Sequence, residues 1–170
     1  MDALIQIVGH TPAYVFLALA YGLFAGFRAL RPRSMALLAM PIVPAVFLAL
    51  SVTSLISAVA VLPAAVLEWL VAAGVGVTMG VSFLSANVIA IDRSRGRITA
   101  GGSALVLVLF LVIFSLKYVN GIVHGTNPTL AAAPGFIMAM TTVSGLSSGV
   151  MIGRIVRLFS VYFRTQQAAA

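Results

Sequence analysis

The chain has 170 residues, of which 62% are hydrophobic and only 8% carry a charged side chain. About a quarter of the residues in an average soluble domain are charged, so this composition excludes a water-soluble enzyme or binding domain, and its apolar content excludes a disordered chain. The net charge of +7 does not indicate a nucleic-acid-binding protein, because the basic residues lie at the ends of apolar segments and form no basic face on a soluble domain.

Five apolar segments are each long enough to cross a lipid bilayer as a helix, which takes about 20 residues. They cover residues 11–29, 35–56, 61–84, 103–123 and 135–153. The sequence therefore predicts an all-α bundle of five transmembrane helices that forms a single domain over residues 1–170. A four-span bundle is the alternative, if the second and third segments form one re-entrant unit.

The basic residues predict how the bundle is oriented. Nine of the ten lie at the end of, or after, the first, third and fifth apolar segments, whereas the connections at residues 57–60 and 126–134 carry none. These nine residues are Arg28, Arg31, Arg33, Arg93, Arg95, Arg97, Arg154, Arg157 and Arg164. Basic loops face the cytoplasm, so we expect the N-terminus outside and the C-terminus inside.

Two segments on the expected cytoplasmic side have a predicted structure of their own. Residues 88–91 and 97–99 flank Ser94-Arg95-Gly96 and are typical of two short strands joined by a tight turn. Residues 154–164 mix apolar side chains with three arginines. This pattern predicts an interfacial helix whose basic face contacts anionic lipid headgroups.

Two prolines fall inside the second predicted span. Pro41 and Pro44 would each remove a backbone hydrogen bond from that helix. We therefore expect a kink in the cytoplasmic third of the span, and a static kink is favoured over a gating hinge because proline is common in membrane helices.

Small residues mark the helix faces that are expected to pack closely, since transmembrane helices approach one another where side chains are small. Such faces occur in the first, third and fifth spans, at Gly22, Gly26, Gly76, Gly80, Gly145, Gly149 and Gly153. Packing within one chain is favoured, because five helices need several such faces. A homo-oligomer that forms through one glycine face is the alternative.

Two ionisable side chains fall inside predicted spans, and such residues are site candidates because they are costly to bury in lipid. Glu68 and Lys117 are each expected about 10 Å below the outer surface. With Asn120, His124 and His10 they form a candidate outer polar cluster. One interpretation is a structural ion pair in which Lys117 extends toward the outer headgroups. The other is a proton- or ion-linked site, since histidine changes charge near neutral pH.

The sequence contains no pattern that indicates catalysis or a cofactor. It has no cysteine, no His-x-x-x-His or Glu-x-x-His pair, no phosphate-binding loop and no Gly-x-Ser-x-Gly. We therefore expect no enzyme activity, no cofactor and no metal. The favoured function is that of an accessory or assembly component of the membrane, and the alternative is a small ion- or proton-linked transporter or channel.

A set of short motifs is spread over most of the chain. In order they are His10-Thr11-Pro12, Arg28, Trp69, Gly96-Arg97, Phe114-x-x-Lys117-Tyr118-x-x-Gly121, and Pro134-Gly135-Phe136 before the span that ends at Arg154. This set resembles a family of small proteobacterial inner-membrane proteins known only as a domain of unknown function. The resemblance implies a location and an architecture, and it implies no activity. Where the family usually has Pro-Gly-Ser-Trp, this chain has Gly101-Gly102-Ser103-Ala104.

Overall fold

The computed structural model describes residues 13–36, 40–82, 88–92 and 97–167. Within these ranges the helices are α1 (Ala13–Ala29), α2 (Ile42–Val59), α3 (Ala65–Ser82), α4 (Leu105–Thr126), α5 (Pro128–Ala131) and α6 (Pro134–Gln167). The strands are β1 (Arg33–Ala36), β2 (Val88–Asp92) and β3 (Arg97–Ala100). The chain is thus mainly helical, as its composition predicts.

Four helices of the described part are long and apolar enough to cross a membrane: α2, α3, α4 and the portion Pro134–Tyr162 of α6. The prediction of a helical membrane protein is confirmed at this level. Helix α1 is apolar but has 17 residues, fewer than the other four. The expected count of five spans stays a prediction.

Helix α6 packs along α3 with both helices running in the same direction. Gly76 of α3 faces Gly149 of α6, and Gly80, one turn later, faces Gly153. Since residue numbers rise together along the contact, the two helices are parallel.

Helix α2 packs on another part of α6 and runs in the opposite direction. The Ser51 hydroxyl is hydrogen-bonded to that of Ser144, and the Ser148 hydroxyl donates to the backbone oxygen of Phe47. Residue numbers fall in α2 as they rise in α6, so these two helices are antiparallel.

The apolar core lies where α2, α4 and α6 meet. Its buried side chains are Phe47, Leu109, Ile113, Val150 and Met151. The core fixes the spacing of these three helices in the half of the bundle nearer to the strands.

The strands form one antiparallel sheet in the order β1-β3-β2. Strands β2 and β3 lie on either side of the predicted turn, but β1 was not expected from the sequence. Arg33 of β1 pairs with Ala100 of β3. Because residues 33–36 belong to this sheet, α2 begins at Ile42 and not near Met35, where the apolar segment begins.

Both prolines of this region lie at the start of α2, so the expected kink is wrong. Pro41 is the N-cap residue and Pro44 lies in the first turn. The first turn of a helix has backbone N–H groups without helical partners, and proline therefore removes nothing there. Ala45 N donates to Pro41 O at 2.9 Å, and the helix starts normally.

Helix α6 continues through the predicted end of the fifth span. It has 34 residues without interruption, which corresponds to a length of about 50 Å. Gly153 lies within the helix, where it faces Val77 and Gly80 of α3. The predicted separate helix over residues 154–164 is thus the last part of α6.

The bundle has two ends that differ in composition. The sheet end holds the three strands, and there the backbone N–H of Ser103 donates to Ala29 O at 2.9 Å, which joins the end of α1 to the start of α4. The α5 end holds α5 and the turn at residues 60–64. Apart from Arg164 near the end of α6, the arginines of the described part lie in or beside the elements of the sheet end: Arg28, Arg31, Arg33, Arg97, Arg154 and Arg157.

Candidate functional site

The glycines of α3 and α6 allow the two helix backbones to touch. An added methyl group at Gly145 would lie 2.8 Å from Trp69 O, closer than carbon and oxygen can approach. Gly76, Gly80, Gly149 and Gly153 likewise face backbone atoms of the partner helix. The small faces of the third and fifth predicted spans are therefore used inside the chain.

The glycines of α1 pack against large side chains of α4. Gly22 lies against the ring of Phe110, and Gly26 lies against Leu107, whose Cδ1 would be 2.5 Å from an added methyl group. Residue numbers rise in α1 as they fall in α4, so α1 runs antiparallel to α4. All seven glycines predicted to lie on packing faces thus contact another helix of the same chain.

A chain of hydrogen bonds links three helices deep in the bundle. Trp69 Nε1 of α3 donates to Ser51 Oγ of α2 at 2.8 Å, and Ser51 Oγ lies 2.8 Å from Ser144 Oγ of α6. Ser51 is only 1% exposed. Trp69 is the single tryptophan of the chain, and tryptophan N–H groups usually find a partner when buried.

Glu68 precedes Trp69 in α3 and is also bonded to α6. The Thr142 hydroxyl donates to Glu68 Oε1. Glu68 Oε2 is buried and accepts no hydrogen bond. The carboxyl group therefore lies between α3 and α6, with one oxygen satisfied.

Lys117 of α4 is bonded to α2 and not to Glu68. Its Nζ donates to Thr53 Oγ1 at 3.2 Å. The ion pair suggested by the sequence is therefore absent from the described contacts. Glu68 is bonded to α6 through Thr142, whereas Lys117 is bonded to α2 through Thr53.

A cavity of about 70 Å³ begins beside Lys117. Helices α2 and α4 form its sides, α6 forms its back, and Ala131 of α5 lies at one end. One water needs about 10–15 Å³ of such space, so several waters fit. The polar side chains that line the cavity are Ser54, Ser57, Lys117, Asn120, His124, Thr141 and Ser144.

The three polar residues of α4 form a column along this cavity, as their spacing predicts. Lys117 lies deepest, and His124 lies seven residues, or about 10 Å, nearer to the α5 end. His124 Nδ1 lies 2.9 Å from Asn120 O. We call this space the Lys117 cavity.

A comparison with known protein families shows which family the chain belongs to. Residues 1–169 match a family of unknown function, DUF6622. The chain belongs to this family. No curated protein and no solved structure gave a match. The membership confirms the resemblance to a family without an assigned activity.

The structure brings together part of the predicted polar cluster in this DUF6622 chain. Lys117, Asn120 and His124 line one cavity, Glu68 lies outside it, and His10 lies outside the described residues. The cluster as a functional site stays a prediction.

The sequence did not predict which hydroxyl groups form hydrogen bonds with Glu68, Lys117 and Trp69. Thr53, Thr142 and the Ser51–Ser144 pair lie in apolar segments whose serines and threonines carry no pattern. The lone Trp69 in a span was the one available signal, because its N–H group needs a partner.

Proposed function

We propose that this chain is a multi-pass protein of a bacterial inner membrane that acts without catalysis, as an accessory or assembly component. The observation that supports this function is that polar side chains of the helices form hydrogen bonds to neighbouring helices. Glu68 is bonded to Thr142, Ser51 to Ser144, and Lys117 to Thr53, so each bond joins two helices. Side chains used in this way stabilise one arrangement of the bundle.

The proposed topology has five spans, with the N-terminus outside and the C-terminus inside. Alternating helix directions support it, because α1 is antiparallel to α4, and α2 is antiparallel to α6. The concentration of arginine at the sheet end supports a cytoplasmic position for that end. There, we propose, Arg154 and Arg157 lie near anionic lipid headgroups.

The chain has no native cysteine, so single cysteines can test the orientation. Thr129→Cys in α5 and Ser34→Cys in β1 replace exposed residues at opposite ends. We expect a membrane-impermeant maleimide to label Thr129→Cys in intact cells and Ser34→Cys only after the membrane is opened. The reverse pattern would overturn the proposed orientation.

An accessory role requires a stable partner protein in the membrane. We expect protein extracted from its native membrane in mild detergent to migrate with a mass well above one 17.7 kDa chain, and mass spectrometry to find a second protein in fixed ratio to it. A species that contains this chain alone would contradict the accessory role.

A small ion- or proton-linked transporter is the second candidate, and the Lys117 cavity is the observation that favours it. A polar cavity beside an intramembrane charge is a common feature of transport sites. Protein reconstituted into liposomes should then move ions or protons at a rate that falls in Lys117→Met and Glu68→Gln. No flux above that of empty liposomes would remove this candidate.

A further inference from the structure

We propose that the Lys117 cavity binds an anionic oxygen group, a carboxylate or a phosphate, with Lys117 as its main contact. The inference deepens the proposed membrane function by naming the ligand class of this cavity. It requires binding only, and no transport.

The first observation that supports anion binding is the balance of charges around Lys117. The chain has three acidic residues, Asp2, Glu68 and Asp92. Glu68 is bonded to Thr142 on α6, and Asp92 belongs to β2 at the sheet end. Glu68 does not contact Lys117, and the bonded partner of Lys117 among the described side chains is the neutral hydroxyl of Thr53.

The second observation is that the Lys117 cavity contains hydrogen-bond donors. An ammonium group has three N–H donors, and Thr53 accepts one of those of Lys117. The Ser54 and Ser57 hydroxyls donate to carbonyls of their own helix at 3.3 Å, longer than is usual for such bonds. These donors can turn toward a stronger acceptor. An anion would gain charge-assisted hydrogen bonds there.

The shape of the cavity limits where the anion comes from. The lining continues from Lys117 past His124 to Ala131 of α5, so the cavity extends toward the α5 end. With the proposed orientation, this is the outer side of the membrane. A free anion from that side and the headgroup of an outer-leaflet lipid present the same chemistry.

The protein contains its own reporter of binding. Ser144 lines the cavity and is bonded to Ser51, which accepts the hydrogen bond of Trp69. A ligand that takes up the Ser144 hydroxyl changes the hydrogen bonding of Ser51 and the surroundings of the only indole in the chain. Trp69 fluorescence therefore measures occupancy of the cavity without a label.

The experiment titrates full-length protein in nanodiscs and follows Trp69 emission. One arm uses phosphatidylcholine nanodiscs and adds inorganic phosphate or acetate. The other arm raises the fraction of phosphatidylglycerol in place of phosphatidylcholine. We expect a saturable change in at least one arm, and the arm that responds identifies the source. Lys117→Met should weaken the response by about tenfold or more, since a charged hydrogen-bond donor is lost.

Arg31→Gln is the matched control, because it removes an exposed positive charge at the sheet end that has no part in the proposed headgroup contact. It should bind like the unchanged protein, and Lys117→Arg should keep the response. No saturable change in either arm, or an equal response in Lys117→Met, would overturn the proposal. Cysteine labelling and flux are separate measurements, so a wrong orientation or a lack of transport is distinguishable from a lack of binding.

Discussion

At the residue scale, single hydrogen bonds between helices favour one arrangement of the bundle over others. Helices in lipid gain no hydrophobic free energy by associating with one another, so a buried polar atom that loses its partner is not compensated. Glu68 already has one buried oxygen without a hydrogen bond. Its remaining bond, to Thr142, is therefore sensitive to substitution.

Thr142→Val keeps the shape of the side chain and removes the donor to Glu68 Oε1. We expect it to lower the free energy of unfolding by about 1–2 kcal/mol, because the carboxyl group is left without a partner. Thr78→Val is the control, since Thr78 is exposed on α3 and bonds only to Val75 O. Thermal unfolding in detergent measures both, and equal midpoints would contradict this account of Glu68.

Ser51→Ala removes the oxygen shared by Trp69 and Ser144. The indole N–H group loses its acceptor, so we expect the Trp69 emission to shift and stability to fall by about 1–3 kcal/mol. Ser160→Ala removes only a bond to Arg157 O within α6 and should change neither quantity. An unchanged spectrum in Ser51→Ala would show that the indole does not depend on this bond.

At the element scale, the main helix–helix contact is that between the backbones of α3 and α6. This contact depends on glycine. Gly149→Ala places a methyl group against the backbone of Ala73 and forces the helices apart. Overpacking of this kind costs about 1–3 kcal/mol. Gly74→Ala on α3 has nothing within 4 Å of the added methyl group, so it should be neutral or slightly stabilising. Thermal midpoints that fall equally in both variants would contradict close packing at Gly149.

Sequence patterns predicted the helices better than their ends. The fourth predicted span, residues 103–123, lies close to α4, because nothing interrupts its apolar run. The second was placed seven residues too early, since the pairing of β1 with β3 depends on residues far apart in the chain. The glycine spacing identified the faces of α3 and α6, but hydropathy does not indicate which hydroxyl each buried charge meets.

At the scale of the whole molecule, α1 is the predicted span that is shorter than the four helices long enough to cross a membrane. Its 17 residues correspond to about 25 Å, close to the hydrocarbon thickness of about 30 Å. Gly22 and Gly26 contact α4 near the start of α4, and α1 extends from there toward its own start at Ala13. A helix that packs on α4 in this way is expected to share the surroundings of α4.

A cysteine near the N-terminus tests whether α1 crosses the membrane, because a crossing and a non-crossing α1 place it on opposite sides. If α1 crosses the membrane, Ala3→Cys reacts with an impermeant maleimide from the same side as Thr129→Cys. If α1 does not cross, Ala3→Cys reacts from the side of Ser34→Cys. We expect the first result, since α1 runs antiparallel to α4 and ends beside its start. The comparison needs no knowledge of which side is the cytoplasm, so it tests whether α1 crosses the membrane independently of the orientation.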